Sequence, residues 1–130
     1  MRPTSESIME LFKIWDHAIS LVDQAADYMN TIEDLKLENE RLEHDYKYYT
    51  FPVQDLSDYI EHLRAMEKID ARRADIREVT HALDNELKTI LSALGEIVPL
   101  GIDLKHPTED YSFCLVAKNG DYPILDINYV

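Results

Sequence analysis

The N-terminal part of this sequence is dominated by a long stretch without helix-breaking residues. Between Pro3 and Pro52 there is neither glycine nor proline, the two residues least compatible with a helix interior. Apolar residues recur there in alternating steps of three and four, which is the heptad pattern of a coiled-coil helix. The a and d positions of six heptads are occupied by Leu11, Ile14, Ala18, Leu21, Ala25, Tyr28, Ile32, Leu35, Asn39, Leu42, Tyr46 and Tyr49. We therefore predict a helix over about residues 7–49, with Ser7 and Glu10 forming a capping box.

The apolar stripe of this helix changes width along its length. In the first half, residues outside a and d are also apolar, at Ile8, Phe12, Trp15, Ile19, Val22 and Met29. We expect this half to lie in a core that is built from several elements. After Glu33 the stripe narrows to a and d alone, as in a two-stranded coiled coil.

Asn39 occupies an a position in the narrow half of the stripe. An asparagine at such a position fixes register and strand number in coiled coils, and a buried amide without a partner is unfavourable. We therefore predict a homodimer. The alternative is that a different protein packs against this part of the helix in place of the second protomer. The predicted oligomerisation residues are Leu35, Asn39, Leu42, Tyr46 and Tyr49.

A second helix is predicted after Pro52. Proline suits the first turn of a helix, and Gly95 followed by Pro99 is typical of a helix end. We predict a helix over about residues 52–94 that folds back on the first as a long antiparallel helical hairpin, or coiled coil. The alternative is a helix break within MEKIDARRADIRE, which would give three or four shorter helices.

The charges of the two helices favour the hairpin. If the chain turns near residue 51, five basic residues of the second helix, Arg64, Lys68, Arg72, Arg73 and Arg77, lie against Asp27, Glu33, Asp34 and Glu38.

The last third of the chain changes from helical to β patterning. YSFCLVA and YPILDINYV flank Asn119 and Gly120, and an Asn-Gly pair between such runs is a strong indicator of a β-hairpin. We predict a hairpin over about residues 111–130 with a two-residue turn, in which Leu115 faces Ile124. The segment 95–109 is predicted to connect the helices to it.

The fold class predicted from these elements is mainly α (α+β), and residues 1–130 are predicted to form a single domain. A two-stranded ribbon is marginally stable in water. We therefore expect the β-hairpin to cover the wide apolar half of the helices or to pair with another chain.

Charge and cysteine content exclude some classes of function. Lys and Arg number 13 against 26 Asp and Glu, so the formal net charge is −13. This charge disfavours direct binding to nucleic acid or to an anionic membrane. The single cysteine, Cys114, fits a reducing compartment, and neither a signal peptide nor a membrane span is indicated. We therefore expect a cytoplasmic protein.

Residues with catalytic chemistry show no recognisable motif. Nucleophile-elbow, phosphate-binding and dinucleotide-binding patterns are missing, so we predict a non-enzymatic protein without a cofactor. Glu78 with His81 has a spacing that di-iron bundles use, but both residues are expected to face water. Asp58 and Glu61 near His62 are a second candidate set, but they too are expected to face water. We predict no metal site, and a metal-binding helical bundle is the minor alternative.

An acidic stripe follows the solvent side of the first helix. Its residues recur in steps of seven and four: Asp16, Asp23, Asp27, Asp34, Glu38 and Asp45. These steps correspond to roughly 6 to 10 Å along the helix axis, comparable to phosphate spacings on a DNA strand. Such a helix can occupy the basic groove of a nucleic-acid-binding protein. The simpler explanation is solvation of a long helix, and Lys13 and Arg41 interrupt the stripe.

Aromatic residues cluster at the predicted turn, within DYKYYTFP. Tyr48 and Phe51 lie outside the a and d positions, and aromatic side chains are enriched at binding hot spots. Both are therefore candidate partner-binding residues, and packing of the turn is the alternative explanation.

Two functional hypotheses follow from the sequence. The first is an acidic regulator or inhibitor that binds another protein, including a nucleic-acid mimic that blocks a basic nucleic-acid-binding protein. The second is a structural or assembly protein, such as a scaffold, adaptor or chaperone, that acts through its coiled coil.

Overall fold

Two long helices packed against each other precede a small antiparallel sheet, which confirms the predicted fold class. The structure is a computed structural model that describes residues 5–50, 52–117 and 120–129. The elements in chain order are α1 (Ser5–Tyr48), α2 (Leu56–Ile97), β1 (Leu104–Lys105), β2 (Tyr111–Val116) and β3 (Ile124–Tyr129). No helix in these ranges has a stretch that is long and apolar enough to cross a membrane.

Helix α1 is continuous, as the absence of glycine and proline predicts. It begins two residues before the predicted start and ends at Tyr48. After its last residue the chain forms a tighter turn, because the amide of Tyr49 donates to the carbonyl of Tyr46, three residues back, at 3.1 Å. An α-helix would use the carbonyl four residues back. Both the amide and the hydroxyl of Thr50 donate to the carbonyl of Lys47, which satisfies one of the helix's terminal acceptors.

Helix α2 is also continuous, so the alternative of a mid-helix break is wrong. The predicted start at Pro52 is wrong too, because the helix begins at Leu56. The reason is a cap at Asp55, whose Oδ1 accepts the backbone N–H of Asp58 at 2.9 Å. Asp is a favoured N-cap residue because its carboxylate satisfies a helical donor that has no intrahelical partner.

The C-terminal end of α2 also differs from the prediction. The helix passes through Gly95 and ends at Ile97, so Gly95 does not terminate it. A Cβ atom at this position would lie 3.0 Å from Cγ of Pro123, closer than ordinary van der Waals contact. Glycine therefore allows the segment before β3 to approach the helix.

The described chain divides into two compact units. The sheet unit contains α1 up to Tyr28 and the chain from Asn85 onward, and the hairpin unit is Met29–Asp84. Each unit contains parts of both helices.

The sheet unit has a core that is built from both helices and the sheet. The largest fully buried side chains are Val22 from α1, Leu94 from α2, and Phe113 and Leu115 from β2. The rings of Trp15 and Phe113 stack with their centroids 6.4 Å apart. The multi-element core expected for the wide apolar stripe is therefore present. Its buried positions on α1 are Ala18, Leu21, Val22 and Ala25.

The sheet has three strands in the order β1-β2-β3, one more than predicted. Its register also differs by one residue from the prediction, because Leu115 pairs with Leu125 and Cys114 with Asp126. The predicted register would place Pro123 opposite Val116, and proline has no N–H to donate to a ladder. Strand β3 therefore begins at Ile124, and the connection from Val116 is longer than two residues. Asn119, in the predicted turn, lies outside the described residues.

The hairpin unit has a narrower core. Ile32, Ile69 and Ile76 are buried, in agreement with a stripe confined to a few heptad positions. Arg72 contacts Glu38, which agrees with the predicted pairing of these basic and acidic stretches but lies about two helical turns from the position that a turn near residue 51 predicts. Part of the reason is the late start of α2, which puts residues 52–55 outside both helices.

Candidate functional site

The predicted acidic stripe is on the surface, but its carboxylates differ in their contacts. In the sheet unit Asp16, Asp23 and Asp27 are exposed; in the hairpin unit Asp34 and Asp45 are exposed and Glu38 is half-buried. Asp23 and Glu38 make specific contacts within their own units, and these are described first.

Asp23 is bound to a buried histidine. The side chain of His106 is 2% exposed, and its Nε2 lies 2.9 Å from Oδ1 of Asp23. The other ring nitrogen, Nδ1, accepts the backbone N–H groups of Thr108 at 3.1 Å and Glu109 at 3.0 Å. A nitrogen that accepts two hydrogen bonds carries no proton, so Nε2 is protonated and donates to Asp23.

Tyr111 completes this cluster. Its hydroxyl lies 3.5 Å from Oδ1 of Asp23, and its ring centroid is 4.9 Å from that of His106. Burial, followed by the negative charge of Asp23, raises the pKa of Tyr111 to about 12. The phenol therefore stays protonated at neutral pH. Both nitrogens of His106 are engaged, so this cluster fixes the turn after β1 against α1.

Glu38 forms a two-point ion pair with Arg72. Oε1 accepts from Nε at 2.9 Å and Oε2 from Nη2 at 2.8 Å, a geometry that matches the guanidinium fork to the carboxylate. The hydrogen bond from Arg72 lowers the pKa of Glu38. The charge of Glu38 is thus balanced locally, unlike that of Asp34 or Asp45, which form no ion pair with the described residues.

The predicted oligomerisation residues are half-buried within the hairpin unit: Leu35, Asn39, Leu42, Tyr46 and Tyr49. Oδ1 of Asn39 accepts a hydrogen bond from Nε of Arg73 at 3.2 Å. The amide therefore has a partner in its own chain, and the argument that it requires a second protomer loses its premise. The homodimer remains a prediction.

An exposed apolar surface lies at the start of α1. We define the N-terminal apolar surface as Ile8, Met9, Leu11, Phe12 and Ile14, all of them exposed, with Leu11 and Phe12 each 62% exposed. The sequence pattern placed Ile8, Leu11, Phe12 and Ile14 in the core, and this is wrong for them because burial on α1 begins only at Ala18. Periodicity identified their face of the helix but not where the covering elements end.

A small cavity adjoins this surface. It has a volume of about 230 Å³, and its walls include Leu11, Ile14 and Trp15 of α1. Ile97, at the end of α2, and Pro99 also line it. The N-terminal apolar surface is therefore continuous with a concave apolar site.

Aromatic rings cluster at the end of α1, in the hairpin unit. The rings of Tyr49 and His62 meet edge to face at 5.2 Å, as do those of Tyr48 and Tyr49. Tyr48 is exposed, as a partner-binding residue would be. Phe51, the other candidate, lies outside the described residues.

The part of the chain that the structure describes contains no group of three or more residues placed to hold a metal ion. No protein-family model matches the sequence, and comparisons with curated proteins and with solved structures find no similar protein.

Proposed function

We propose that this chain is a non-enzymatic protein-binding regulator that binds a basic amphipathic helix of a partner protein at the N-terminal apolar surface. The observation that supports this most directly is the exposure of Leu11 and Phe12 beside Met9 and Ile14. Contiguous exposed apolar surface on a protein commonly marks an interaction site.

Charge favours a basic occupant. Glu6, Glu10 and Asp16 lie in the same turns of α1 as the N-terminal apolar surface. Within residues 6–16 the only basic residue is Lys13. A second copy of this chain would bring another formal net charge of −13 to the contact. A partner helix that carries Lys and Arg would instead be attracted to these acidic residues, and it would bind faster.

The shape of the site suits a helix. Partner helices commonly insert apolar side chains into a groove at spacings of three and four residues. The cavity beside Leu11, Ile14 and Trp15, about 230 Å³ in volume, would receive one such side chain. The remaining apolar residues of the partner would then cover Met9 and Phe12.

A partner that uses the same helix to bind nucleic acid would be inhibited by this contact. The stricter hypothesis, that the whole acidic stripe imitates DNA, has less support. Asp23 is engaged by His106, and Glu38 is neutralised by Arg72, so two of the six carboxylates have other roles.

Fluorescence of Trp15, the only tryptophan, tests the proposal. The probe is a synthetic amphipathic helix of leucine and lysine, compared with one that has glutamate at every lysine position. We expect saturable binding of the lysine peptide only, with affinity that falls as salt is added. Equal binding of the glutamate peptide would contradict the proposal.

Two matched variants locate the contact. The double variant Leu11→Ser and Phe12→Ser should weaken binding of the lysine peptide by about tenfold or more, equivalent to about 1.4 kcal/mol. Leu37→Ser with Val79→Ser removes two exposed apolar residues from the hairpin unit and should leave binding unchanged. Loss of binding in the second variant alone would place the contact elsewhere.

An assembly protein is the second candidate function. It is favoured by the exposed apolar residues at the start of α2, namely Leu56, Tyr59, Ile60 and Leu63. This hypothesis predicts self-association that persists at high salt and is lost in Leu56→Ser. A monomeric mass in solution at all concentrations would contradict it.

A further inference from the structure

The hairpin unit contains a cationic cleft, although the chain as a whole is strongly acidic. The cleft has a volume of about 360 Å³ and lies between α1 and α2. Lys36 and Asn39 line it from α1, and Arg73, Arg77 and His81 line it from α2. Its volume falls within the range of small-molecule sites, about 300 to 1,000 Å³.

The three α2 residues form a column. Arg73, Arg77 and His81 are four residues apart, so their side chains lie above one another on one helical face. Arg73 and Arg77 carry like charges at this spacing, which destabilises a helix, and Lys36 adds a further positive charge from the facing helix. Such an arrangement is unfavourable unless an anion offsets it.

The one carboxylate among the residues that line the cleft, that of Asp84, forms no ion pair with these cations. Within the described ranges, Lys36, Arg73 and Arg77 take part in no ion pair. The neighbouring Arg72, outside the cleft lining, has its own carboxylate in Glu38. The chain thus pairs the arginine beside the cleft and leaves those in the cleft unpaired.

Arg73 is oriented for a ligand. Its Nε donates to Oδ1 of Asn39 at 3.2 Å, and this half-buried contact restrains the guanidinium plane. The two Nη groups make no hydrogen bond with the described residues and remain as donors. A planar guanidinium held in this way can bind two oxygens of a phosphate at once.

We propose that this cleft binds a small phosphorylated metabolite. Arg73, Arg77 and Lys36 hold the phosphate, and Asn39 positions Arg73. The carboxylate of Asp84, at the cleft lining, accepts a hydrogen bond from a hydroxyl group of the ligand. This site is independent of the N-terminal apolar surface, which belongs to the sheet unit.

Isothermal titration calorimetry at low ionic strength tests the site. The probes are ribose 5-phosphate, ribose and citrate. We expect ribose 5-phosphate to bind with one-to-one stoichiometry and to raise the thermal unfolding temperature, while ribose does not bind. Equal affinity for citrate would overturn the assignment of a phosphate ligand, and equal affinity for ribose would overturn the role of the cations.

Matched arginine variants distinguish a built site from general electrostatics. Arg77→Gln should weaken binding of ribose 5-phosphate at least about tenfold, whereas Arg72→Gln, with the same change of charge just outside the cleft, should change it less than about twofold. Asn39→Ala should weaken binding while Arg73 keeps its charge. Equal losses in Arg72→Gln and Arg77→Gln, or no saturable binding to the folded wild-type chain, would overturn the proposal. Circular dichroism establishes that each variant is folded.

Discussion

His106 donates a hydrogen bond from Nε2 to Asp23 across 2.9 Å, although the two residues are 83 positions apart in the sequence. The imidazole is buried, whereas the carboxylate remains half exposed to water. This contact joins the turn that follows β1 to the middle of α1, and it gives one acidic stripe residue a structural role.

Removing Asp23 should therefore destabilise the sheet unit. Asp23→Ala leaves the buried Nε2–H of His106 without its acceptor, and we expect a loss of about 1 to 3 kcal/mol in the free energy of unfolding. Asp23→Asn keeps an acceptor oxygen, so its free energy of unfolding should fall by less than that of Asp23→Ala. Asp16→Ala, on the same helix, should change stability by about 0.5 kcal/mol or less. Urea unfolding of the three variants measures these differences, and equal stability of Asp23→Ala and Asp16→Ala would contradict the prediction.

Tyr111 should make stability depend on alkaline pH. Its pKa is raised from 10.0 to about 12 in the folded chain, so the stabilisation is fully present below pH 10. It is lost as pH rises from about 10 to 12, because the unfolded phenol ionises first. The Tyr111→Phe variant should lack this part of the decline, as measured by urea unfolding at a series of pH values. Parallel curves for wild type and variant would refute the assignment.

The stabilisation from the Glu38–Arg72 ion pair should be lost at acid pH and weakened by salt. Because Arg72 lowers the pKa of Glu38, the pair stabilises the hairpin unit above the ordinary glutamate pKa. This contribution is lost as pH falls through the lowered value. An NMR titration of the Glu38 carboxyl should show its pKa rising toward the ordinary value in Arg72→Gln, and also in wild type at high salt. An unchanged pKa in both would exclude the ion pair in solution.

Two leucines of the sheet unit provide a test of where the core lies. Leu94 is fully buried, whereas Leu100 is 52% exposed. Leu94→Ala should lower the free energy of unfolding by about 2 to 5 kcal/mol, because it removes apolar contacts and leaves a cavity. Leu100→Ala, the same chemical change, should cost less than about 1 kcal/mol. Similar losses for the two variants would contradict the packing described for α2 and β2.

The helices were predictable because their causes are local and repetitive. The heptad pattern and the absence of glycine and proline determine α1 over its whole length. Boundaries were less predictable where one side chain decides them, as the cap at Asp55 does. Gly95 was predicted to end α2, because glycine is common at helix ends. Here it instead allows the close approach of Pro123, a residue far along the chain that the local sequence does not indicate.

The candidate sites were less predictable than the helices. Sequence periodicity placed the acidic stripe on the surface, but it contained no information on the partners of Asp23 and Glu38. His106 was not identified at all, because the only local indication is a histidine before proline in a polar segment. The cationic cleft was likewise missed, since the predicted register paired its arginines with acidic residues of α1.

Strand β3 is the outermost strand of the described sheet, with β2 on one side only. An outer strand offers unpaired backbone groups to any other extended chain, and a charged side chain in its middle opposes such pairing. Asp126 occupies that position between Leu125 and Ile127 and is exposed. Pairing of another extended chain with this edge is therefore opposed by a carboxylate within the strand itself, in addition to the large net charge of the chain.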